Sequence, residues 1–288
     1  MATPEAVFPG TGRRDWRNTL ATATVWTVAA LVAGVLLWLL LDLIRHGAPH
    51  LGAGFFLEAP RDGGRSGGIA PILVSTALIL GVALLAAVPT GLATALLLAE
   101  FTHRDSALAA LVRRALEVLA GVPSIVFGLF GNALFVVTLG MGYSIASGGL
   151  TLACMFLPLF IRASEEALRG VSSDYRQAAA GLGISRTAGT LRVLLPVAAP
   201  GIAAALVLST GRALAEAAAL LFTSGYVTRM PESLGDSGRT LAIHVYELAM
   251  NVPGGEGQAY ATAVVLVALL LIINLAVAMV GRRPEGAR

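Results

Sequence analysis

The stretch STGRALAEAAALLF, residues 209–222, sets Arg212 and Glu216 inside a long apolar run. A charge near a bilayer midplane costs roughly 2.5–3.5 kcal/mol on insertion scales, so such residues turn toward a bundle interior or a water-filled path. On a helical wheel, one face carries Ser209, Arg212, Glu216 and Thr223 beside the small residues Gly201, Ala205 and Ala219. Val207, Leu214 and Leu221 fall on the opposite face. The stretch reads as one continuous membrane helix with a wet side and an apolar side. The wet side holds a strong anion ligand.

Working outward, the rest of the chain supplies neighbours for that helix. Of its 288 residues, 56% are hydrophobic and only 13% charged, and the mean hydropathy is +0.79. Soluble domains carry about 25% charged residues, so this composition indicates a polytopic membrane protein. The length accommodates about six helices of ~20 residues with short connections. The expected fold class is all-α with six transmembrane helices.

The spans are legible from hydropathy. Leu20 to Leu41 exceeds a signal-peptide core of about 7–15 residues and reads as an uncleaved first helix. A Gly-rich loop follows to about Gly68. The second span runs from Ile69 to Ala99 with Pro89 inside it, a residue expected to kink it. Gly121 and Pro123 divide a short interfacial helix from a third span reaching Gly140. A turn over 141–149 leads to the fourth span, Leu150 to Ala163. The fifth runs from Pro196 to Phe222, a polar loop covers 223–257, and the sixth runs from Ala259 to Val280. The organisation is then 1–68 (terminus, first helix, outer loop), 69–283 (the main membrane domain) and a 284–288 tail.

All 20 basic residues are arginine. Without lysine there is no GxxxxGK phosphate loop and no Schiff-base chemistry; any ATP-driven step belongs to another chain. Arginine counts also orient the spans. Arg13, Arg14, Arg17, Arg104, Arg113, Arg114, the five arginines of 162–192 and Arg282, Arg283 and Arg288 share one side, against five in the other loops. By the positive-inside rule both termini are cytoplasmic. That topology accounts for the net charge of +3 without a nucleic-acid partner. The single cysteine, Cys154, excludes an internal disulfide. His46, His50, His103 and His244 form no cluster, and Pro49 interrupts the one close pair, so no metal site is assigned.

The segment 162–192 carries the most specific pattern. Gln177-Ala178-Ala179, then Gly183, then Val193-Leu194-Leu195-Pro196 resembles the EAA loop of ABC-importer permeases. Small alanines let such a helix seat deeply, glycine permits the sharp turn after it, and proline is tolerated in the first turn of the next helix. The sequence departs from the pattern at Gln177, where glutamate is usual, and at Thr187, where tryptophan is common. Three further stretches, GVPSIVFGLFG (121–131, with Pro123, Ser124 and Gly128), EEALRGVSSDYRQAAAGLG (165–183) and GRALAEAAALLFT (211–223), are similar to signatures of permeases in the phosphate-specific uptake system. TLAIHVYELAMNVP (240–253) resembles the last outer loop of the A-type subunit. The chain is identified as a member of the PstA-like family, with the resemblance covering about 67–283.

That resemblance implies an ABC type-1 (MetI-like) importer fold in a bacterial plasma membrane, with 165–196 as the coupling loop. It implies no catalytic residue and no cofactor here, ATP and magnesium being held by partner ATPases. The implied partners are a PstC-like permease, two ATP-binding subunits, an extracytoplasmic phosphate-binding protein, and the surrounding lipid. The implied cargo is phosphate. Arginine suits it chemically, with a planar fork of donors and a permanent charge. Glu216 accepts the O–H that phosphate retains near neutral pH and that sulfate lacks. Two alternatives for the pair stay open: Glu216 neutralises Arg212 between substrates, or the two only fasten helices. Other oxyanions, an ATP-independent carrier and a non-transporting signalling subunit are the rival functions.

Overall fold

The computed structural model describes residues 16–103 and 106–281. Arg13, Arg14, Arg104, Arg282, Arg283, Arg288 and the tail 284–288 lie outside them. Contacts divide the chain into two units, 1–45 and 46–288. The first is read from Trp16 onward as nearly all of one apolar helix, α1 (Trp16–Gly47), whose side chains are exposed almost throughout. The second unit begins earlier than the expected boundary at 68/69. The reason is local packing: the His46 ring lies 5.0 Å from that of Tyr260, and Phe55 of the short helix α2 (Ala53–Leu57) joins a buried cluster with Ile69, Ile72, Leu241, Ala261 and Val265. A two-stranded hairpin, β1 (Pro60–Arg61) with β2 (Ser66–Gly67), follows α2.

Four further helices are long and apolar enough to cross a membrane. The first is α3 (Ala70–Leu96), prolonged by a π-helical turn over Leu97–Phe101, with Pro89 inside the helix but not ending it. Next comes α4 (Ala107–Gly121), then α5 (Ser124–Gly131), which widens into π-helical turns to Thr138. The two are bent by 102° and, taken as one span, bring the candidate crossings to six. The bend sits where expected. Pro123 has no N–H to continue the ladder and holds Val122 in extended backbone.

The fourth crossing, α6 (Ile145–Arg169), starts earlier and ends later than hydropathy indicated. Its N-terminus reaches into the supposed turn because Ser144 caps it, accepting the Ser147 N–H at 3.1 Å. Its charged last turn remains helical because Arg169 and Glu165 pair along it. The segment after it folds as α7 (Ser173–Gly181), α8 (Arg186–Gly189) and α9 (Leu195–Leu214), the last two joined by a π-helical turn into one span from Arg186 to Leu214. Then come α10 (Ala218–Leu221), α11 (Leu241–Met250) and α12 (Glu256–Gly281).

At the centre of the second unit α3 packs on α6, and α6 on α9. Ile79, Ala83 and Ala87 meet Leu152, Phe156 and Phe160, with Ala205 and Ala213 completing the cluster. Small residues set the spacing: a Cβ on Gly149 would lie 2.6 Å from Val82 Cβ. Close backbone approach of this kind drives helix association where lipid removes the hydrophobic incentive.

Candidate functional site

The expected coupling loop is a helical hairpin. Ser172 caps α7 by accepting the Asp174 N–H at 3.3 Å. At its other end the Gly183 N–H donates to Ala180 and the Ile184 N–H to Ala179, both at 3.0 Å. These two bonds make a Schellman motif with Gly183 at the left-handed position, φ +69°. Nothing lies within 4 Å of where a Gly183 Cβ would be, so the backbone conformation, not space, calls for glycine. Gln177 and Ala178 are exposed on α7, as are Tyr175 and, just past its end, Leu182. Ala179 differs. It is buried, and a Cβ on Gly189 would lie 3.5 Å from its own, so it closes the hairpin onto α8 rather than presenting a surface.

Sequence reasoning missed what anchors this hairpin. Glu100, at the π-helical end of α3, is buried and receives a two-pronged contact from Arg176 of α7: Nη2 to Oε1 at 2.6 Å and Nε to Oε2 at 3.2 Å. Arg176 also donates to the carbonyls of Val171 and Leu168, and Arg186 to the carbonyl of Glu100. The bond to Glu100 raises the Arg176 pKa further above its ordinary value. Beside it, buried Glu165 accepts from Arg113 and Arg169, each at 2.9 Å, and both arginines reach the Leu98 carbonyl. Two signals were present in the sequence: an acid closing a 30-residue apolar run at Glu100, and Glu165 four residues before Arg169, the favourable helical order.

The expected substrate helix is broken. α9 ends at Leu214, and Ala215 to Ala217 leave the helix before α10 begins. Arg212 and Glu216 therefore do not share a helical face, and no ion pair joins them among the described residues. Glu216 instead turns its carboxylate to α10 and accepts the Ala219 N–H at 3.0 Å. The cause lies in packing. α10 seats on α5 so closely that a Cβ on Gly128 would lie 2.8 Å from Ala219 Cα, and the Asn132 amide binds the Phe222 carbonyl at 2.7 Å. Those contacts draw the alanine-rich segment off the axis of α9 despite its high helix propensity.

Ser209 also departs from expectation. It is buried, and its hydroxyl donates to the Ala205 carbonyl of its own helix at 2.9 Å. Thr223 is buried as well. Val207 and Leu214, expected on a separate apolar side, are covered too. The exposed stripe of α9 is instead Pro200, Ala204, Leu208 and Arg212, spaced every four residues. Arg212 stands in the last turn rather than at mid-span, where the carbonyl end of the helix favours a cation. Among the described residues its guanidinium has no hydrogen-bond or ion-pair partner. The arginine is free to serve something outside this chain.

Of the three signature residues, Pro123 sits at the elbow, Ser124 opens α5, and Gly128 makes the seat for α10. The stretches 121–131 and 211–223, far apart in sequence, thus pack together. Gly128→Val is expected to force α5 and α10 apart and lower the melting temperature of the purified protein in detergent by several degrees, whereas Gly121→Val, with open space around it, is expected to cost little by that route. Beyond α10, α11 occupies part of the supposed polar loop. Its His244 is buried beside Arg239, and both burial and that charge lower its pKa to about 3, so the imidazole is neutral. Among the described residues no group of three or more metal-ligating side chains occurs.

The sequence matches, over residues 87–286, the family described as "Binding-protein-dependent transport system inner membrane component". The chain belongs to that family. It is 33% identical to the "Probable ABC transporter permease protein YqgI" of Bacillus subtilis, over 93% of this chain and 96% of the relative. It is also 33% identical to the "Phosphate transport system permease protein PstA 1" of Mycobacterium tuberculosis, over 96% of this chain and 91% of that one. Among solved structures the fold is similar to a permease in the crystal structure of a bacterial alginate ABC transporter in complex with an alginate pentasaccharide-bound periplasmic protein (TM-score 0.64, 15% identity, 95% of this chain and 99% of that chain). It is likewise similar to a chain of the inward-facing MetNI methionine ABC transporter (TM-score 0.58, 17% identity, 74% of this chain and 95% of that one). The MetI-like ABC permease fold expected from the sequence is the one observed, in a multi-span protein of the plasma membrane.

Proposed function

We propose that this permease carries inorganic phosphate inward as one half of a translocation path, driven by ATP-binding subunits that dock on α7. The observation that carries the reading is Arg212: a permanent cation, unpartnered in the described chain, at the end of an exposed stripe on the helix that continues from the coupling hairpin. Two charge-assisted bonds from one guanidinium suit a phosphate oxygen pair. The names of relatives at 31–33% identity support phosphate as the cargo.

On this reading the stripe of α9 faces a second, PstC-like permease, and Arg212 and half-buried Glu216 line the path between them. Ser209 supports that helix from inside rather than touching cargo. An extracytoplasmic phosphate-binding protein delivers to the side that bears α11, and both termini are cytoplasmic. Two ATP-binding subunits hold ATP and magnesium; the chain supplies no catalytic group or cofactor site. Their movement reaches the path by alternating access.

The test is labelled-phosphate uptake into vesicles reconstituted with the chain and its neighbouring subunits, with arsenate, sulfate and phosphonate as competitors. ATP-dependent uptake that arsenate inhibits and sulfate does not is the expected result. Uptake by this chain alone under an ion gradient, or competition by sulfate, would overturn it.

Docking yields a second expectation. Gly183→Val places a β-branched residue at φ +69°, where ordinary residues are strained by roughly 1–2 kcal/mol. The Schellman turn is expected to open, with reduced recovery of ATP-binding subunits on the purified permease and uptake falling with it. Normal recovery and uptake would exclude α7 as the docking element.

A further inference from the structure

The covalent route from α7 to the path runs through α8 into α9. The side chains describe another. Four arginines from four different elements, α4, α6, α7 and α8, close on one point, the π-helical end of α3. Arg176 and Arg186 hold Glu100, by carboxylate and carbonyl respectively, while Arg113 and Arg169 reach the Leu98 carbonyl. A π-helical turn frees carbonyls from the regular ladder and recurs at functional positions. Here the freed groups are used by the elements around the hairpin.

Three features separate this joint from a simple fastener. Glu100 is buried while its partner stands on α7, whose residues are otherwise mostly exposed, so the pair is a strong tie from the bundle to the coupling helix. The surroundings are not close-packed: cavities of about 240 Å³ and 300 Å³, each lined by Glu100, Arg176 and Arg186, adjoin it and leave the arginines room to shift. Finally, α3 is a continuous helix whose other end meets the opposite loop. Thr76 Oγ1 accepts the Leu241 N–H, at the start of α11, at 3.0 Å. A helix of that length spans about 40 Å.

We propose that Glu100 and Arg176 form a positioning joint through which displacement of α7 drives α3, so that the far-side loop bearing α11 moves together with α9. The inference rests on α7 being the docking element of an ATP-driven phosphate permease. It assigns α3 as the second lever and Glu100 as its handle. Neither residue touches cargo; their effect is on how hydrolysis is converted into transport.

The experiment uses the whole reconstituted complex and reads three quantities: recovery of ATP-binding subunits, ATP hydrolysed, and labelled phosphate taken up. Glu100→Gln keeps the shape and an acceptor but removes the charge. Arg176→Lys keeps the charge but cannot reach Glu100 and the Val171 and Leu168 carbonyls together. Both variants are expected to retain the ATP-binding subunits and hydrolysis while phosphate moved per ATP falls by about tenfold or more, the factor to which a lost charge-assisted hydrogen bond corresponds. The Glu100→Gln/Arg176→Lys double variant is expected to lower the ratio no further than Arg176→Lys alone, because across this pair the two residues act as one. A ratio unchanged from wild type in either single variant overturns the joint, and so does a loss of uptake that only tracks loss of assembled complex. If Glu100→Gln does not accumulate, Arg176→Lys decides by the same ratio. Failure of the wild-type complex to link hydrolysis to phosphate uptake instead overturns the function on which the inference stands.

Discussion

Arg212→Gln is expected to lower phosphate uptake by about 100-fold or more while leaving the complex assembled. Each hydrogen bond to a charged group contributes about 1.5–3 kcal/mol, and a guanidinium supplies two to one phosphate. Glutamine offers a neutral amide in their place. Stability is not expected to suffer, because Arg212 is exposed and has no partner among the described residues. Arg212→Lys separates charge from shape: a point charge without the fork is expected to recover part of the rate. Glu216→Gln is the companion variant, since its amide oxygen preserves the acceptor for the Ala219 N–H and hence the start of α10. If Glu216 accepts the phosphate O–H, this variant loses preference for phosphate over sulfate. Wild-type uptake by Arg212→Gln would remove the arginine from the path. Loss of the second permease from the purified variant would assign it to the subunit interface instead.

The broken helix at 215–217 shows where sequence reading reaches its limit. Hydropathy located the five helices long and apolar enough to cross a membrane, since about twenty mostly apolar residues in a row have few other fates. The elbow at Gly121–Pro123 and the turn at Gly183 were legible because proline's missing donor and glycine's left-handed backbone are local properties. The break between Arg212 and Glu216 has no local cause. Four of the five residues 215–219 are alanine, the strongest helix former, and the segment leaves the axis only because Gly128, some 90 residues earlier, admits Ala219 so closely. The same distance in sequence hid the charge network: Glu100 and Arg176 are 76 residues apart. The helix α11 was hidden differently. Its capping signal was present, with Thr240 Oγ1 accepting the Ile243 N–H, but its flanks, PESLGDSG and NVPGGEG, gave the whole segment the composition of a loop. Ser209 was misplaced because a helical wheel gives angles and not which angle the bundle covers.

Glu165→Leu is the variant expected to damage the fold most. Among the described residues Glu165 is the one carboxylate paired with both Arg113 and Arg169, with its side chain 7% exposed against 27% and 26% for theirs. Replacing a buried ion pair with well-packed apolar groups on both sides is often neutral, but removing one member leaves charge uncompensated at a cost of about 3–5 kcal/mol. Here two cations are stranded by one substitution, while their partial exposure lets water screen them, which places the expected loss near 3 kcal/mol. The Leu98 carbonyl cannot substitute, because it already accepts from both arginines. Thermal unfolding of the purified protein in detergent should therefore show a clear drop for Glu165→Leu, and a smaller one for Glu165→Gln, which keeps one acceptor. The triple variant Glu165→Leu/Arg113→Leu/Arg169→Leu removes the stranded charges and should regain most of the stability. That recovery is what separates a charge imbalance from a packing defect: if the triple variant melts no higher than Glu165→Leu alone, shape at position 165 was the cause. The tie between α4, α6 and the end of α3 would then depend on fit rather than on the pair. Glu100 tests the same physics with a different expectation, since its partner lies on α7, most of whose residues are exposed, so its loss should appear first in transport per ATP and only second in melting.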